Sequence, residues 1–305
     1  MKGILSKLFN LKFLFNYLVL KIININPYLV SDKKALKSRF YFEFGRSLNL
    51  KDPKTYSEKL QWMKLYYRKP IMIQMVDKNE AKNYVSKIIG NQYIIPTIGV
   101  WENFDDIDFT SLPDRFVLKT THDSGSVIVV RDKLTFDKAL AKSILEKSMK
   151  NDFYIKSREW PYKDVPRRII AEKYMEDESG ELRDYKFFCF DGKIRCLYVA
   201  TDRLSHDEEL KFDYFDENFN HLQIVNGHPN SQKQIVKPDN FDDMKCIAEK
   251  LSSGFPHLRV DLYSINGEIY FGELTFFSNS GMLPFKPEEW DYKLGEWLHL
   301  PNNYC

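Results

Sequence analysis

Arg259, Asp261 and Glu273 are charged residues set inside two runs that are otherwise apolar, within LRVDLYSINGEIYFGELTF (258–276). The Asn266-Gly267 pair between the runs is a strong hairpin signal. On the first run Leu258, Val260 and Leu262 alternate with Arg259, Asp261 and Tyr263. On the second, Tyr270, Gly272, Leu274 and Phe276 alternate with Ile269, Phe271, Glu273 and Thr275. A carboxylate in a buried strand costs several kcal/mol unless a cation or donor answers it. Two on neighbouring strands form a hard-oxygen site of the kind Mg²⁺ occupies beside phosphates. Taken alone, the hairpin is better explained as an amphipathic ribbon with its charged face in water.

Register separates these readings. A two-residue turn pairs Asp261 with Gly272 and sends Glu273 to the opposite face. A three-residue turn, with Gly267 in a bulge, pairs Arg259 with Glu273 and Asp261 with Phe271. That odd register puts both carboxylates on one face and Leu258, Val260, Leu262, Leu274 and Phe276 on the other. The expectation is therefore a bulge at Gly267.

Other stretches offer complementary chemistry. Lys119 ends the apolar run FVLK and precedes the small polar loop THDSGS, so an ammonium lies beside backbone N–H groups that suit phosphate oxygens. Glu172-Lys-Tyr-Met175 leaves a buried strand, where backbone groups and an apolar side chain can hold an adenine ring. Asp184 and Lys186 share one face of DYKFFCF and could take ribose hydroxyls and phosphate. Each has a plainer account on its own: a lysine snorkelling from a strand end, an ordinary strand exit, a surface ion pair. The sequence GxxxxGK[ST] is absent, so the loop is not a P-loop.

The 305 residues that must position these groups are 43% hydrophobic and 29% charged, enough for a sizeable core in more than one lobe. A net charge of +2 gives no reason to invoke nucleic acid. Four cysteines without CxxC spacing argue for buried thiols in a reducing compartment. Scattered histidines argue against a zinc hydrolase. Residues 1–30 are basic and apolar together, interrupted by Lys2, Lys7, Lys12 and Lys21. No span of ~20 apolar residues occurs, and no small-residue cleavage site follows, so neither a transmembrane helix nor a signal peptide is expected. An interfacial helix on the cytoplasmic leaflet and a helix docked on the body are equally good readings.

Thr55-Tyr-Ser-Glu58 reads as a capping box opening a helix that Pro70 ends. A second helix is expected from Ile71 to Ile89, strands at 116–119 and 127–130, a helix from Thr135 to about Lys150, and a strand at 168–171. Strands at 185–190 and 194–200 meet at Asp191-Gly192. Residues 202–238 read as an irregular lid or substrate loop, and 242–251 as a helix. The division expected is 1–50, a basic N-terminal helical segment; 51–112, a helical region; 113–171, a small lobe; and 172–305, a large lobe with the metal site.

In combination the order is specific. Asp77-Lys78 in a helix, Lys119 at a strand end, the Glu-Lys-Tyr-Met hinge, Asp184, and Arg-x-Asp followed by Glu-x-Thr resemble the layout of the ATP-grasp fold over residues 70–280. The strings DPKTYSEKLQW, VLKTTHDSGS, REWPY, AEKYMEDESGELRDYKFFCFDGK, RVDLY and FGELTF resemble the TupA-like (teichuronopeptide-biosynthesis) branch. The resemblance implies an α+β fold in which two lobes with antiparallel sheets grip ATP. It implies that Lys78, Lys119 and the loop residues Ser124, Gly125 and Ser126 meet the phosphates. Glu172, Lys173 and Met175 would hold adenine and Asp184 the ribose, with Lys186 beside the phosphates. Asp261 and Glu273, with Thr275 where the wider family usually has Asn, would bind Mg²⁺. The 121–126 loop lacks the glycine run of many ATP-grasp enzymes.

The activity so implied is an ATP-dependent carboxylate–amine ligase of the cytoplasm or inner membrane face. It would work through an acyl phosphate in cell-surface polysaccharide synthesis, with Arg259 and Lys119 as catalytic groups. Its partners would be a carboxylated or uronic-acid glycan and an amino acid or amine. Two rivals stand beside it. Asp106-Ile-Asp108 is a DxD pattern that could bind a metal and a sugar nucleotide in a glycosyltransferase. A non-catalytic ATP- or glycan-binding assembly factor at the membrane surface is the other.

Overall fold

The computed structural model describes residues 11–176, 182–201, 210–231 and 233–301. Expectations for residues 1–10, and for 202–209 of the proposed lid, lie outside the described residues. Helices α1 (Leu11–Ile25) and α2 (Asp32–Phe44) open the described chain as a helical hairpin. Val19 and Ile23 of α1 bury against Val30 and Ala35, and the Ser38 hydroxyl donates to Asn16 Oδ1 at 2.9 Å. One face of α1 is thus docked, as one of the two readings expected. Helix α3 (Tyr56–Tyr66) begins at the expected capping box. Thr55 Oγ1 accepts from the Glu58 N–H at 3.2 Å, and Glu58 Oε2 accepts from the Thr55 N–H at 3.3 Å.

The single helix expected over 71–89 is two helices, α4 (Ile71–Val76) and α5 (Glu80–Ile89). Asp77 breaks it with an extended backbone (φ −71°, ψ 116°). Its buried carboxylate accepts from the N–H of Asn79 at 2.8 Å and of Glu80 at 3.3 Å, so it caps α5. Lys78 therefore sits in the break and not in a helix, and its N–H donates to the Thr121 carbonyl at 3.1 Å.

A four-stranded antiparallel sheet follows, built from β1 (Thr97–Trp101), β2 (Phe116–Thr120), β3 (Val127–Val130) and β4 (Ile169–Lys173) in the order β1-β4-β2-β3. It runs outside the 113–171 segment expected for the small lobe. Strand β1, TIGVW, comes from the stretch expected to be helical, where Pro96 and Gly99 obscure the strand pattern. Helix α6 (Lys138–Lys150) starts later than expected, because the cap is Asp137 and not Thr135. Asp137 Oδ1 accepts from the Leu140 N–H at 2.8 Å. Short helix α7 (Phe153–Ser157) precedes β4. Phe116, Leu118, Leu145, Ile169 and Ala171 form the core between this sheet and α6.

The second sheet has six antiparallel strands in the order β10-β9-β5-β6-β7-β8. They are β5 (Asp184–Phe190), β6 (Lys193–Thr201), β7 (Lys211–Asp216), β8 (His221–Leu222), β9 (His257–Ile265) and β10 (Glu268–Thr275). Helix α8 (Phe241–Ser252) packs on one face, burying Met244, Ala248 and Leu251 with Phe187, Leu258 and Val260. Tyr56 of α3 packs on the other beside Phe188 and Phe190, and helix α9 (Glu289–Trp297) ends the described fold. The lid reading of 202–238 is corrected by β7 and β8. The stretch reads as irregular from its polar residues, yet Asp213 within β7 is buried and accepts from the Ser231 N–H at 3.1 Å. Cys189 and Cys196 are buried as expected, but Cys246 on α8 is exposed.

The hairpin solves its register differently from the expectation. Asn266 (φ 51°) and Gly267 (φ 84°) make a two-residue turn, and pairing is regular from Ile265–Glu268 to Leu262–Phe271. Gly272 is then passed over, so that Asp261 faces Glu273 and Arg259 faces Thr275. The bulge lies at Gly272, not Gly267. The expected backbone register, with Arg259 opposite Glu273 and Asp261 opposite Phe271, does not form. A Cβ at 272 would stand 3.0 Å from the Asp261 carbonyl oxygen, which is why glycine occupies the extra position. Both faces of β9 are buried through Leu262, so the water-facing ribbon does not describe it.

Candidate functional site

Across β10, β9 and β5, Glu273, Asp261 and Lys186 stand directly opposite one another in a single row. Arg259, two residues before Asp261, shares that face. Its Nε and Nη2 donate to the two Asp261 oxygens at 2.7 Å each, and Nη2 also reaches Glu273 Oε1 at 2.7 Å. Lys186 Nζ donates to Asp261 Oδ2 and lies 2.6 Å from Asp184 Oδ2. Arg259 Nη1 donates to the Ser278 hydroxyl at 3.1 Å, and the Thr275 hydroxyl to Glu273 Oε1 at 3.3 Å.

Electrostatics sort these carboxylates. Burial would raise the Glu273 carboxyl, but Lys186, Arg259 and Lys78 together hold it well below the usual carboxylate range. Burial pushes the Asp261 carboxyl up, against the pull of Arg259 and Lys186, while Glu273 and Asp184 push it further. Its contacts decide its state. Three N–H donors on two oxygens need an ionised carboxylate. Burial would lower the Lys186 ammonium, but Asp184 and Asp261 raise it well above its ordinary value.

Opposite this face lies a cationic group. Glu172 of β4, 7% exposed at its side chain, is bridged by Lys82 at 2.6 Å and Lys119 at 2.5 Å. Burial alone would raise its carboxyl, yet the two ammoniums bring it down to about 2. Lys82 also donates to the Ile95 carbonyl at 2.8 Å and to Thr97 Oγ1 at 2.9 Å. Lys78 Nζ donates to the Asp123 carbonyl. The Asp123 carboxylate accepts from the hydroxyls of Thr120, Ser126 and Ser148, fixing the 121–126 loop from within. Burial lowers the Lys78 ammonium, partly offset by Glu273 and Asp123. Lys119 is raised overall, burial being outweighed by Glu172, Tyr263 and Glu273. Both lysines thus feel Glu273 on the other sheet.

The structure therefore brings Lys78, Lys119, Glu172, Asp184, Lys186, Arg259, Asp261, Glu273 and Thr275 to one place. Ser124 and Gly125 are exposed at the loop tip, Gly125 with φ 98°. Ser126 turns inward to Asp123. The Glu172 carboxylate, expected near adenine, is spent on the two lysines. Lys173 is exposed with its N–H on the Pro96 carbonyl at 3.0 Å, and Met175 is half-buried on the same exit. Sequence reasoning missed Lys82, whose partner Glu172 lies 90 residues away and leaves no local signal. It also missed Gln61 and the buried Lys64 of α3. These donate to the Ser280 carbonyl at 3.0 and 2.8 Å and hold the turn after β10, where Asn279 (φ 47°) and Ser280 (φ 57°) are left-handed.

Three ammoniums, Lys78, Lys82 and Lys119, outnumber Glu172 and Asp123 on one side. On the other, Asp184, Asp261 and Glu273 outnumber Arg259 and Lys186. The first side suits a polyanion and the second a cation. Glu273, 43% exposed at its side chain, is the carboxylate that would offer Mg²⁺ an oxygen. Asp261 would share the ion on giving up a cation partner.

Two antiparallel sheets, one bordered by Lys78, Lys82 and Lys119 and the other carrying a carboxylate hairpin, define the class as ATP-grasp. Within it, the TupA-like ATPgrasp family model matches residues 58–299, and the chain belongs to that family. Among solved structures, it is similar to the D-alanine–D-alanine ligase from Bacillus anthracis complexed with ATP (15% identity, 66% of this chain and 53% of that chain, TM-score 0.38). It is also similar to the L-amino acid ligase from Bacillus licheniformis (13% identity, 84% and 56%, TM-score 0.43). A third is the ATP-grasp ligase PsnB complexed with minimal precursor, Mg and ADP (10% identity, 72% and 57%, TM-score 0.39). The chain spans little more than half the length of these three structures. Comparison with curated proteins gives no match.

Proposed function

We propose that the chain is an ATP-dependent carboxylate–amine ligase working through an acyl phosphate, in the assembly of a carboxylated cell-surface glycan. The observation that supports it most is the opposition of a cation surplus around Glu172 to a carboxylate surplus around Asp261, with Lys78 and Lys119 under the influence of Glu273. Phosphoryl transfer to a carboxylate asks the protein mainly for positioning and charge neutralisation. Lys78, Lys82, Lys119 and the N–H groups of the 121–126 loop would hold the phosphate chain. A carboxylate oxygen of the substrate displaces ADP from the γ-phosphorus. The amine nitrogen then attacks the acyl carbon, phosphate leaves with the C–O electron pair, and the amine gives up its proton to solvent. Arg259 would stabilise the acyl phosphate oxygens on the face it shares with Glu273. Mg²⁺ held by Glu273 and Asp261 would neutralise phosphate charge.

Asp106 and Asp108, the alternative DxD pair, belong to a surface turn. Asp106 accepts from Asn103 Nδ2 at 2.9 Å, and Asp108 from the Thr110 N–H at 2.9 Å. The test is thermal. ATP with Mg²⁺ should raise the melting temperature, and a screen of amino acids with carboxylated sugars should reveal a pair that releases phosphate from ATP. Absence of any ATP-induced shift at saturating Mg²⁺ would count against the ligase. Stabilisation by a UDP-sugar with Mn²⁺ instead would favour the glycosyltransferase.

A further inference from the structure

Helix α1 has two apolar faces, and only one is used. Asn16, Val19 and Ile23 are buried against α2. Leu11, Phe15, Leu18, Ile22 and Ile25, spaced by 4, 3, 4 and 3 residues, are 83%, 57%, 51%, 41% and 84% exposed. At 3.6 residues per turn these five side chains fall within roughly an 80° arc, so they form one continuous stripe. In the sequence, Ile4 and Leu8 continue the same spacing towards the N-terminus.

The stripe is held at a fixed attitude to the body. The α1–α2 connection is tied down where Arg158 donates to the Pro27 carbonyl at 2.6 Å and to Asp32 Oδ1 at 3.0 Å, and where Tyr154 donates to Asp32 Oδ2 at 2.8 Å. An apolar row of this length in water marks a surface made to be covered.

Charge identifies the cover. Residues 1–31 contain Lys2, Lys7, Lys12 and Lys21 and no aspartate or glutamate. A second copy seated on this face would set lysines against lysines, whereas helical seams pair basic with acidic flanks. An anionic lipid surface answers both features, the apolar row entering the acyl boundary and the ammoniums meeting the headgroups. We propose that the outer face of α1 docks the protein on an anionic membrane leaflet as an interfacial helix lying in the membrane plane. Among the described residues, no helix is long and apolar enough to cross a membrane.

The experiment is co-sedimentation of the full chain with vesicles of phosphatidylcholine alone or mixed with phosphatidylglycerol. The protein should pellet with the mixed vesicles, less with the neutral ones, and less again at high salt. The double variant F15E/L18E should lose at least ~10-fold in partition while keeping its circular dichroism and any ATP-induced melting shift. Should that variant fail to fold, K12E/K21E carries the test, because it leaves the apolar row intact and should abolish the preference for anionic lipid. Recovery of the wild type in the supernatant with both vesicles overturns the proposal. So does unchanged binding by the folded F15E/L18E variant. A solution dimer that F15E/L18E converts to monomer, without vesicle binding by the wild type, assigns the face to a second copy.

Discussion

Two buried carboxylates, Glu172 on the four-stranded sheet and Asp261 on the six-stranded one, are each answered by two cations, and the answers differ. Glu172 is held by two lysine ammoniums, one on each oxygen. Lys119 is a point charge on a flexible stem that can turn towards an incoming phosphate, whereas Lys82, also bonded to the Ile95 carbonyl and the Thr97 hydroxyl, is fixed. Asp261 is gripped by the planar fork of Arg259 on both oxygens, and Lys186 adds a third donor. That geometry fixes Arg259 and leaves its remaining N–H groups aimed at Glu273 and Ser278. The first cluster sets one adaptable cation beside a fixed one, and the second is a rigid frame around a half-exposed carboxylate.

The comparison can be broken from either side. The largest effect is expected for Glu273→Gln, which keeps the side chain's shape but removes the charge that faces Arg259 at 2.7 Å. ATP-dependent phosphate release should fall by ~10³-fold, with the circular dichroism of the folded protein retained. Full turnover would show that the carboxylate surplus is not where the cation binds.

Glu172→Gln should act in the opposite sense, on stability first. The Glu172 carboxyl is lowered from 4.5 to about 2, a shift equivalent to about 3 kcal/mol of folding free energy at neutral pH. Because the folded-state value is depressed, that stability is present above pH 4.5 and drains away as pH falls towards 2. Denaturant melts of wild type and variant should therefore differ by about 3 kcal/mol at pH 7 and converge in acid. A pH-independent difference would mean that the carboxylate charge is not what is lost.

Gly272→Ala tests whether the bulge positions the frame. A Cβ 3.0 Å from the Asp261 carbonyl oxygen forces the strands apart or the bulge to migrate. About 1–2 kcal/mol of stability and ~10-fold in activity should go together. The smallest effect is expected at Asp77→Ala, which deletes the α5 cap and the Arg168 pair at 2.7 Å. About 1 kcal/mol should be lost, with weaker ATP binding if the break positions Lys78 as described.

Much of this was legible beforehand. The capping box at Thr55, the Asp191-Gly192 turn and the placing of Asp261 and Glu273 on one face follow from local patterns with a physical cause, and the antiparallel α+β architecture from the family resemblance. What escaped was tertiary. Asp77 reads as an ordinary residue in a helical run until Arg168, 91 positions later, anchors its carboxylate. Asp213 reads as a loop residue until the Ser231 N–H arrives to satisfy it. Lys82 looks like a solvated helix lysine until Glu172 lies beneath it. Each miss is a polar group whose partner is remote in sequence, and no window of neighbours contains that information.

The bulge at Gly272 also bears on how this hairpin tolerates length changes. Deleting Gly272 would yield a regular ribbon through an unchanged Asn-Gly turn, with Glu273 still opposite Asp261. What would go is the local bend and extra twist that the unpaired residue adds where the two carboxylates meet. Removing a residue from the ladder between the turn and the bulge would act differently, since with the bulge kept Glu273 would then pair with Leu262 and take the other face. The extra residue at 272 thus shapes the site, while the even ladder before it decides which face the carboxylate takes.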